Sequence, residues 1–369
     1  METSDIQRTL EVKTTGTEYP VYIGRQIGPS LRTFVEGKLK DDFRVCVVTD
    51  RNFAEEQNAF IKKVFEGCPL LTLPAGETTK DATYLESIYT FLAENKMDRS
   101  GYVIAVGGGV IGDIVGFAAA TYLRGIKFVQ MPTTLLAMVD SSVGGKTGIN
   151  IPQGKNLVGA FYQPEAVYIS TKLLQTLPPR EFSAGMAEVI KYGLLGDAPL
   201  FDKVEKLGRL DASHPKLPEI IEACCQNKAD VVAADERETA KDGGRNLLNL
   251  GHTFAHSIEK VAGYGVYLHG EAVAVGMVLA ARLSARLGHI GKDVEERIVE
   301  LLQRYELPVY LEHPLPTKKL LEAMLNDKKV LRGKLRFVVM HAIGDARMQG
   351  EIDLELVEDV LETAKKFTF

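Results

Sequence analysis

The sequence of 369 residues is poor in cysteine: it has four. Two of them are adjacent, Cys224 and Cys225, and none stands in a paired CxxC spacing. That excludes a disulfide framework and a zinc knuckle, and predicts reduced packing thiols in a cytosolic protein. A positive excess is also missing. With 44 Lys and Arg against 49 Asp and Glu the net charge is −5, which removes the broad basic footprint of a nucleic-acid or acidic-membrane binder. Any anion the chain binds must be met by a local cluster of cations. Long apolar runs are lacking too: Val103 to Leu123 carries Asp113 in its middle and five glycines, and Ala272 to Ala281 offers only ten residues. Neither is suited to span a bilayer. The first residues, METSDIQRTLEVK, have no basic segment followed by an apolar one, so no signal peptide is expected. No internal repeat or low-complexity segment is visible.

What is present is an ordinary globular composition, 45% hydrophobic and 25% charged, on a chain long enough for about two domains. The first half alternates short β-rich runs with helical patterns and the second half is mostly helical. This order predicts an α/β Rossmann-like domain over 1–180 and an all-α domain over 181–369, divided at the turn-rich TLPPRE. Strands are expected at TLEVKTT and YPVYIG, as a hairpin, then at 43–50, 68–74, 101–109, 126–132 and 166–170, with a late one at 335–342.

The richest local signal is VIAVGGGVIGD. Gly107, Gly109 and Gly112 fit G-x-G-x-x-G after an apolar β-run and before a helical pattern, which offers backbone amides to a pyrophosphate. The acid normally found about 20 residues downstream is missing, and Asp50, at the end of VCVVTD, is the alternative partner for a ribose hydroxyl. The bland reading is a tight turn without ligand. DSSVGGKTG (140–148) ends like a phosphate loop, but the first glycine of that pattern falls on Asp140, which argues against a mononucleotide site. Lys146 and Lys155 nevertheless sit among glycines, in loops that permit close approach of an anion.

The second half carries denser chemistry. With 245–259 helical, Arg245, Asn249, His252 and His256 fall on one stripe, and two imidazoles four residues apart suit a divalent metal. His269 in YLHGEAVAVG is a third imidazole. Lys228 occupies the missing place on an inward apolar stripe with Ile220, Ile221, Cys224, Cys225 and Val232, where a lysine needs an anionic partner or ligand. Glu188 and Lys191 share a face beside the small residues Ala184 and Ala187; the plain alternative is a surface ion pair. A carboxylate with two imidazoles is a common open zinc set, which makes Glu188 the natural partner of His252 and His269.

GGGVIGD, ATYLRGI, MPTTLLAMVDSSVGGKTGIN, GKNLVGAFYQP, LPPREFSAGMAEVIKYG, NLLNLGHTFAHSIE and YLHGEAVAVGM, in that order along the chain, resemble the 3-dehydroquinate synthase family. The resemblance implies NAD and zinc, with cobalt as a substitute, in an active site in the cleft between the two domains, and a homodimer. It makes Glu188, His252 and His269 the metal ligands. For NAD it implies Asp50, Glu77, Lys80, Gly109, Val110, Ile111, Gly112, Asp113, Thr133, Thr134, Lys146 and Lys155. For the substrate, 3-deoxy-D-arabino-heptulosonate 7-phosphate, it implies Asp140, Lys146, Asn156, Lys191, Lys228, Arg245, Asn249 and His256, with Arg124 reaching the phosphate and one of Lys328 and Lys329 added. The loop DERETAKDGGR before Arg245 is a few residues longer than the family's usual spacing. The implied reaction oxidises an alcohol, eliminates phosphate, returns the hydride and closes a carbocycle by aldol addition. Another sugar-phosphate cyclase and a metal-dependent NAD alcohol dehydrogenase of the glycerol dehydrogenase type are the competing enzymes. A non-catalytic NAD-binding regulator has no use for the cations and metal set.

Overall fold

The computed structural model describes residues 5–240, 243–325 and 335–365. In chain order the strands are β1 (Ile6–Lys13), β2 (Glu18–Gly24), β3 (Val45–Asp50), β4 (Leu70–Leu73), β5 (Tyr102–Gly107), β6 (Lys127–Pro132), β7 (Lys146–Ile151), β8 (Gly154–Phe161), β9 (Ala166–Ser170), β10 (Arg336–Ala342) and β11 (Asp345–Gly350). The helices are α1 (Gly28–Lys40), α2 (Arg51–Glu56), α3 (Asn58–Val64), α4 (Ala82–Glu94), α5 (Gly109–Thr121), α6 (Pro179–Leu195), α7 (Ala198–Leu207), α8 (Leu217–Ala234), α9 (His252–Ala262), α10 (His269–Arg286), α11 (Lys292–Arg304), α12 (Thr317–Leu325) and α13 (Leu354–Glu362). Two compact units result: Met1–Pro178 with Ala212–Ala233, and Pro179–Asp211 with Ala234–Phe369. Most of α8 therefore groups with the first unit, whereas the turn at TLPPRE alone assigns it to the second.

The first unit is built on a seven-stranded sheet in the order β1-β2-β9-β6-β5-β3-β4. All pairs are parallel except the antiparallel β1–β2 hairpin. Parallel strands covered on both faces read as continuous apolar runs, and the pleat divides their side chains between two cores. In β3, Val45 and Val47 join Ile27, Leu31 and Val35 of the α1 side. Cys46 and Val48 turn the other way, to Leu85 and Ile88 of α4 and Ile114 and Val115 of α5. The thiols are used as expected: all four are free, and three are buried.

The β7–β8 hairpin replaces what the sequence suggests as glycine-rich loops around Lys146 and Lys155, because glycine there marks close strand approach and not a coil. The second unit is helical, as expected, with one added element: the late run pairs as β10 with β11 in a two-stranded hairpin. Among the described residues no helix is long and apolar enough to cross a membrane.

Candidate active site

In the first unit the parallel strands deliver their carboxyl ends to one edge. Thr49 of β3 lies opposite Val106 of β5, and Gly107 of β5 opposite Pro132 of β6, so Asp50, Gly107 and Thr133 emerge as neighbours. The chain runs from β3 outward to β4 and then to β5 on the other side of β3, which makes this the point where strand order reverses and ligands of such sheets bind. α5 starts at once after β5, and its N-cap, Gly108, makes no side-chain cap bond. The first-turn amides, from Gly109, Val110 and Ile111, thus face out of the helix end with its partial positive charge. A Cβ on Gly107 would stand 2.7 Å from the Ile111 side chain and 3.1 Å from Asp50 Oδ2. Nothing larger than glycine fits this turn, which lets β5 pass directly into α5 under Ile111 and Asp50. Asp50 also caps α2, its Oδ1 accepting from the Phe53 N–H at 3.0 Å. Thr133 donates its N–H to the Gly107 carbonyl at 3.0 Å, and Thr134 Oγ1 accepts from the Ala137 N–H at 3.2 Å.

A second cluster docks on this edge. Lys80, 4% exposed, pairs with Asp113 one helix turn into α5 and donates to Asn156 Oδ1 at 2.6 Å. Burial pushes the Asp113 carboxyl above its usual range, against the pull of the Lys80 ammonium. Asn150 ties the hairpin in: its side-chain amide donates to Glu77 Oε1 at 2.7 Å, its N–H to the Lys80 carbonyl at 2.7 Å, and its Oδ1 accepts from the Asn156 N–H at 2.9 Å. Asn156 adopts a left-handed backbone, φ +52°, which Asn tolerates better than most residues. The structure thereby joins Glu77, Lys80, Asp113 and Asn156, and adds Asn150, which pattern reading passed over.

Lys228 meets its anion. Buried at 6% exposure, its ammonium lies 2.8 Å from Asp140 Oδ1, so the inward lysine is paired within its own unit. Beside it, burial pushes the Cys225 thiol up to about 12, and the thiol donates to the Met138 carbonyl at 3.3 Å. Lys146 is exposed at the start of β7, and Lys155 half-buried on β8. Arg124 is not brought to this edge. It follows the last turn of the thirteen-residue α5, roughly 20 Å along the helix from the glycine turn at 1.5 Å per residue.

In the second unit, the expected single helix over 245–259 is two elements. Arg245 and Asn249 lie on a 3₁₀ segment, Gly244–Asn249, and α9 begins only at His252. The break is Gly251, whose φ is +77°; a Cβ there would stand 2.8 Å from the Met277 N, so this backbone rests directly on α10. His252 and His256 still share a face of α9, with ring centroids 5.6 Å apart. Arg245 is held separately: Asp235 accepts from the N–H groups of Thr239 at 2.8 Å, Ala240 at 3.2 Å and Arg245 at 3.1 Å. Although burial pushes the Asp235 carboxyl up, these three donors hold it below its usual range.

α6 is buried continuously from Phe182 to Leu195, and on it Glu188 and Lys191 form a wholly interior ion pair, 0% and 1% exposed, not a surface one. The Lys191 ammonium faces Glu188 Oε2. Oε1 looks toward His252 Nε2 at 3.6 Å and His269 Nε2 at 3.8 Å. Oε2 is met by that ammonium, but Oε1 accepts no hydrogen bond and faces the two imidazole nitrogens, an arrangement that a metal ion among the three would complete. Ligand atoms of Glu188, His252 and His269 all lie within 4.8 Å of one another. Such a carboxylate and two imidazoles fit a zinc ion with an open position. His252 Nδ1 lies 3.1 Å from the Leu250 carbonyl, an acceptor only, so that nitrogen carries the hydrogen and Nε2 keeps its lone pair. His269 Nδ1 faces Glu259 Oε1 at 3.5 Å; burial lowers this imidazole's proton affinity, the carboxylates of Glu259 and Glu188 raise it, and the net shift is upward. Asp235 and Glu259 carry no motif signal of their own, though Glu259 falls on the α9 face of His252 and His256. Lys328 and Lys329 lie outside the described residues.

The family model for the N-terminal part of 3-dehydroquinate synthase matches residues 70–184, and that for its C-terminal part residues 185–330. The chain is 52% identical over 351 residues to a 3-dehydroquinate synthase of Opitutus terrae, covering 95% of this chain and 97% of that protein. To one of Shewanella loihica it is 44% identical, over 96% and 99% of the two chains. Among solved structures, 2-epi-5-epi-valiolone synthase from Streptomyces hygroscopicus subsp. jinggangensis, with NAD+ and Zn2+ bound, matches with a TM-score of 0.84 at 25% identity, over 95% of this chain and 98% of that one.

Proposed function

The chain belongs to the 3-dehydroquinate synthase family, and from that premise we propose that it is a carbon-oxygen lyase of the shikimate pathway. It converts 3-deoxy-D-arabino-heptulosonate 7-phosphate to 3-dehydroquinate and phosphate. The observation that carries this reading is Glu188, a buried carboxylate with one oxygen on the Lys191 ammonium and the other, without a hydrogen bond, facing two imidazole Nε2 atoms. Net, one carbon is oxidised and later reduced, a carbon-oxygen bond to phosphate breaks with loss of a neighbouring proton, and a carbon-carbon bond closes the ring. NAD, when bound, accepts the hydride and returns it in the same turnover, while zinc, when bound, polarises the oxygen at the reacting carbon.

The protein's own residues bind, orient and transfer protons. Glu188, His252 and His269 would hold the metal. The Gly109 to Asp113 turn, Asp50, Glu77, Lys80, Thr133, Thr134, Lys146 and Lys155 would hold NAD. Lys191, Lys228 and Arg245, with Lys146, would supply positive charge for a substrate bearing a carboxylate and a phosphate, in a protein of net charge −5; Arg124, remote from the glycine turn along α5, is left out of this set. Asp140, Asn156 and Asn249 offer hydrogen bonds to hydroxyls. His256, beside the metal set and outside it, holds or moves a proton at its imidazole. A homodimer and a cytoplasmic location complete the proposal, the latter supported by four free thiols.

Chelation tests the metal role. With NAD and the heptulosonate phosphate supplied, metal-free protein is expected to release no phosphate, and one zinc or cobalt per chain to restore release. Full turnover without metal would overturn it.

A further inference from the structure

We infer that Glu259 is a positioning residue for His269: it accepts the Nδ1 hydrogen of that imidazole and so presents Nε2, with its lone pair, to the metal. This rests on the proposed metal reading of Glu188, His252 and His269. Along α9, His252, His256 and Glu259 follow at steps of four and three and therefore lie on one face. Glu259 is only 7% exposed, and a carboxylate so deep needs a donor. Its Oε1 lies 3.5 Å from His269 Nδ1. An ionised carboxylate can only accept, so the ring nitrogen facing it must donate, which fixes the tautomer. On the opposite edge of the ring, His269 Nε2 stands 3.8 Å from Glu188 Oε1.

His252 is arranged by the same logic with a different acceptor, the Leu250 carbonyl at 3.1 Å from Nδ1. One imidazole is therefore oriented by a neutral carbonyl of its own chain turn, the other by an anion from a different helix. The anion polarises its imidazole more strongly and raises its basicity as a ligand. Glu259 also gives α9 and α10 a shared interest in the site: α9 supplies the His252 ligand directly and orients the ligand that opens α10.

The test is zinc affinity, measured on chelator-stripped protein by competition with a chromophoric chelator. Glu259→Met, which keeps bulk but removes the acceptor, is expected to weaken zinc binding by about 10–100-fold, as loss of such an orienting partner does. Glu259→Gln, whose amide oxygen still accepts from Nδ1, is expected to stay closer to wild type. With Co2+ as the probe, the visible absorption bands should change shape in the methionine variant and be retained in the glutamine variant. A purely space-filling role predicts that both variants are tolerated, because glutamine and methionine each keep the bulk. Wild-type affinity in a folded Glu259→Met protein would overturn the inference, as would an equal loss in both variants. Should Glu259→Met fail to fold, Glu259→Ala, which also removes the acceptor, takes its place beside Glu259→Gln: a roughly 10-fold or greater loss of zinc affinity in alanine with glutamine near wild type supports acceptor function, and equal affinities refute it. If the wild-type protein itself takes up no zinc, the metal reading fails and not merely the role of Glu259.

Discussion

Asp235 shows how one side chain fixes the backbone of another residue, Arg245, which is proposed to meet substrate. Its carboxylate gathers three backbone N–H donors from the turn that leads into Arg245, and Arg245 in turn donates to the Glu236 carbonyl at 2.8 Å. Because these donors favour the charged form, the folded-state affinity for a proton is lower than that of the unfolded chain. The sign follows: the stabilisation is complete above the unfolded carboxylate range near pH 4 and disappears as pH falls through the lower folded value. Asp235→Asn is expected to cost on the order of 1–3 kcal/mol at pH 7. The gap to wild type in denaturant titrations should shrink below about pH 4. A gap that stays constant to pH 3 would contradict the assignment. The residue was not legible beforehand, since an acid followed by other acids in DERE reads as a solvated run. Lys228 was legible as an anomaly on an apolar stripe, but its partner was not: Asp140 lies 88 positions earlier, and periodicity carries no information at that separation.

At the level of elements, the proposed metal set depends on how closely helices approach. A Cβ on Gly270 would stand 1.9 Å from the Ala184 carbonyl oxygen, so α10 begins against the bare backbone of α6, and this contact sets His269 beside Glu188. A carbonyl has no flexible end that can move aside. Gly270→Ala is therefore expected to lower stability by about 1–3 kcal/mol or more and to reduce bound zinc together with the melting temperature. Gly196→Ala, whose added Cβ meets nothing within 4 Å, is the control and should change neither. Unchanged zinc content and melting in Gly270→Ala would refute the packing account. The parallel strands were readable from sequence because burial on both faces makes them uniformly apolar. The 245–259 segment misled for an equally physical reason. Its stripe continues at helical spacing through Gly251, but the left-handed turn there, pressed against Met277, is a tertiary contact invisible to periodicity. The β7–β8 hairpin was missed because its exposed side chains and glycines imitate a loop.

For the whole molecule, the proposed function gives the α/β unit an edge for NAD and the helical unit a carboxylate and imidazole set for a metal, both used in a reaction that consumes no reductant. A dehydrogenase with the same parts would release reduced cofactor; this enzyme must take its hydride back. The decisive measurement follows inorganic phosphate and absorbance near 340 nm together, in zinc-loaded protein given NAD and 3-deoxy-D-arabino-heptulosonate 7-phosphate. Phosphate release is expected to require NAD, to continue over many turnovers with catalytic cofactor, and to leave 340 nm absorbance flat. Reduced nicotinamide growing in step with phosphate, or phosphate release undiminished without NAD, would contradict the proposed function.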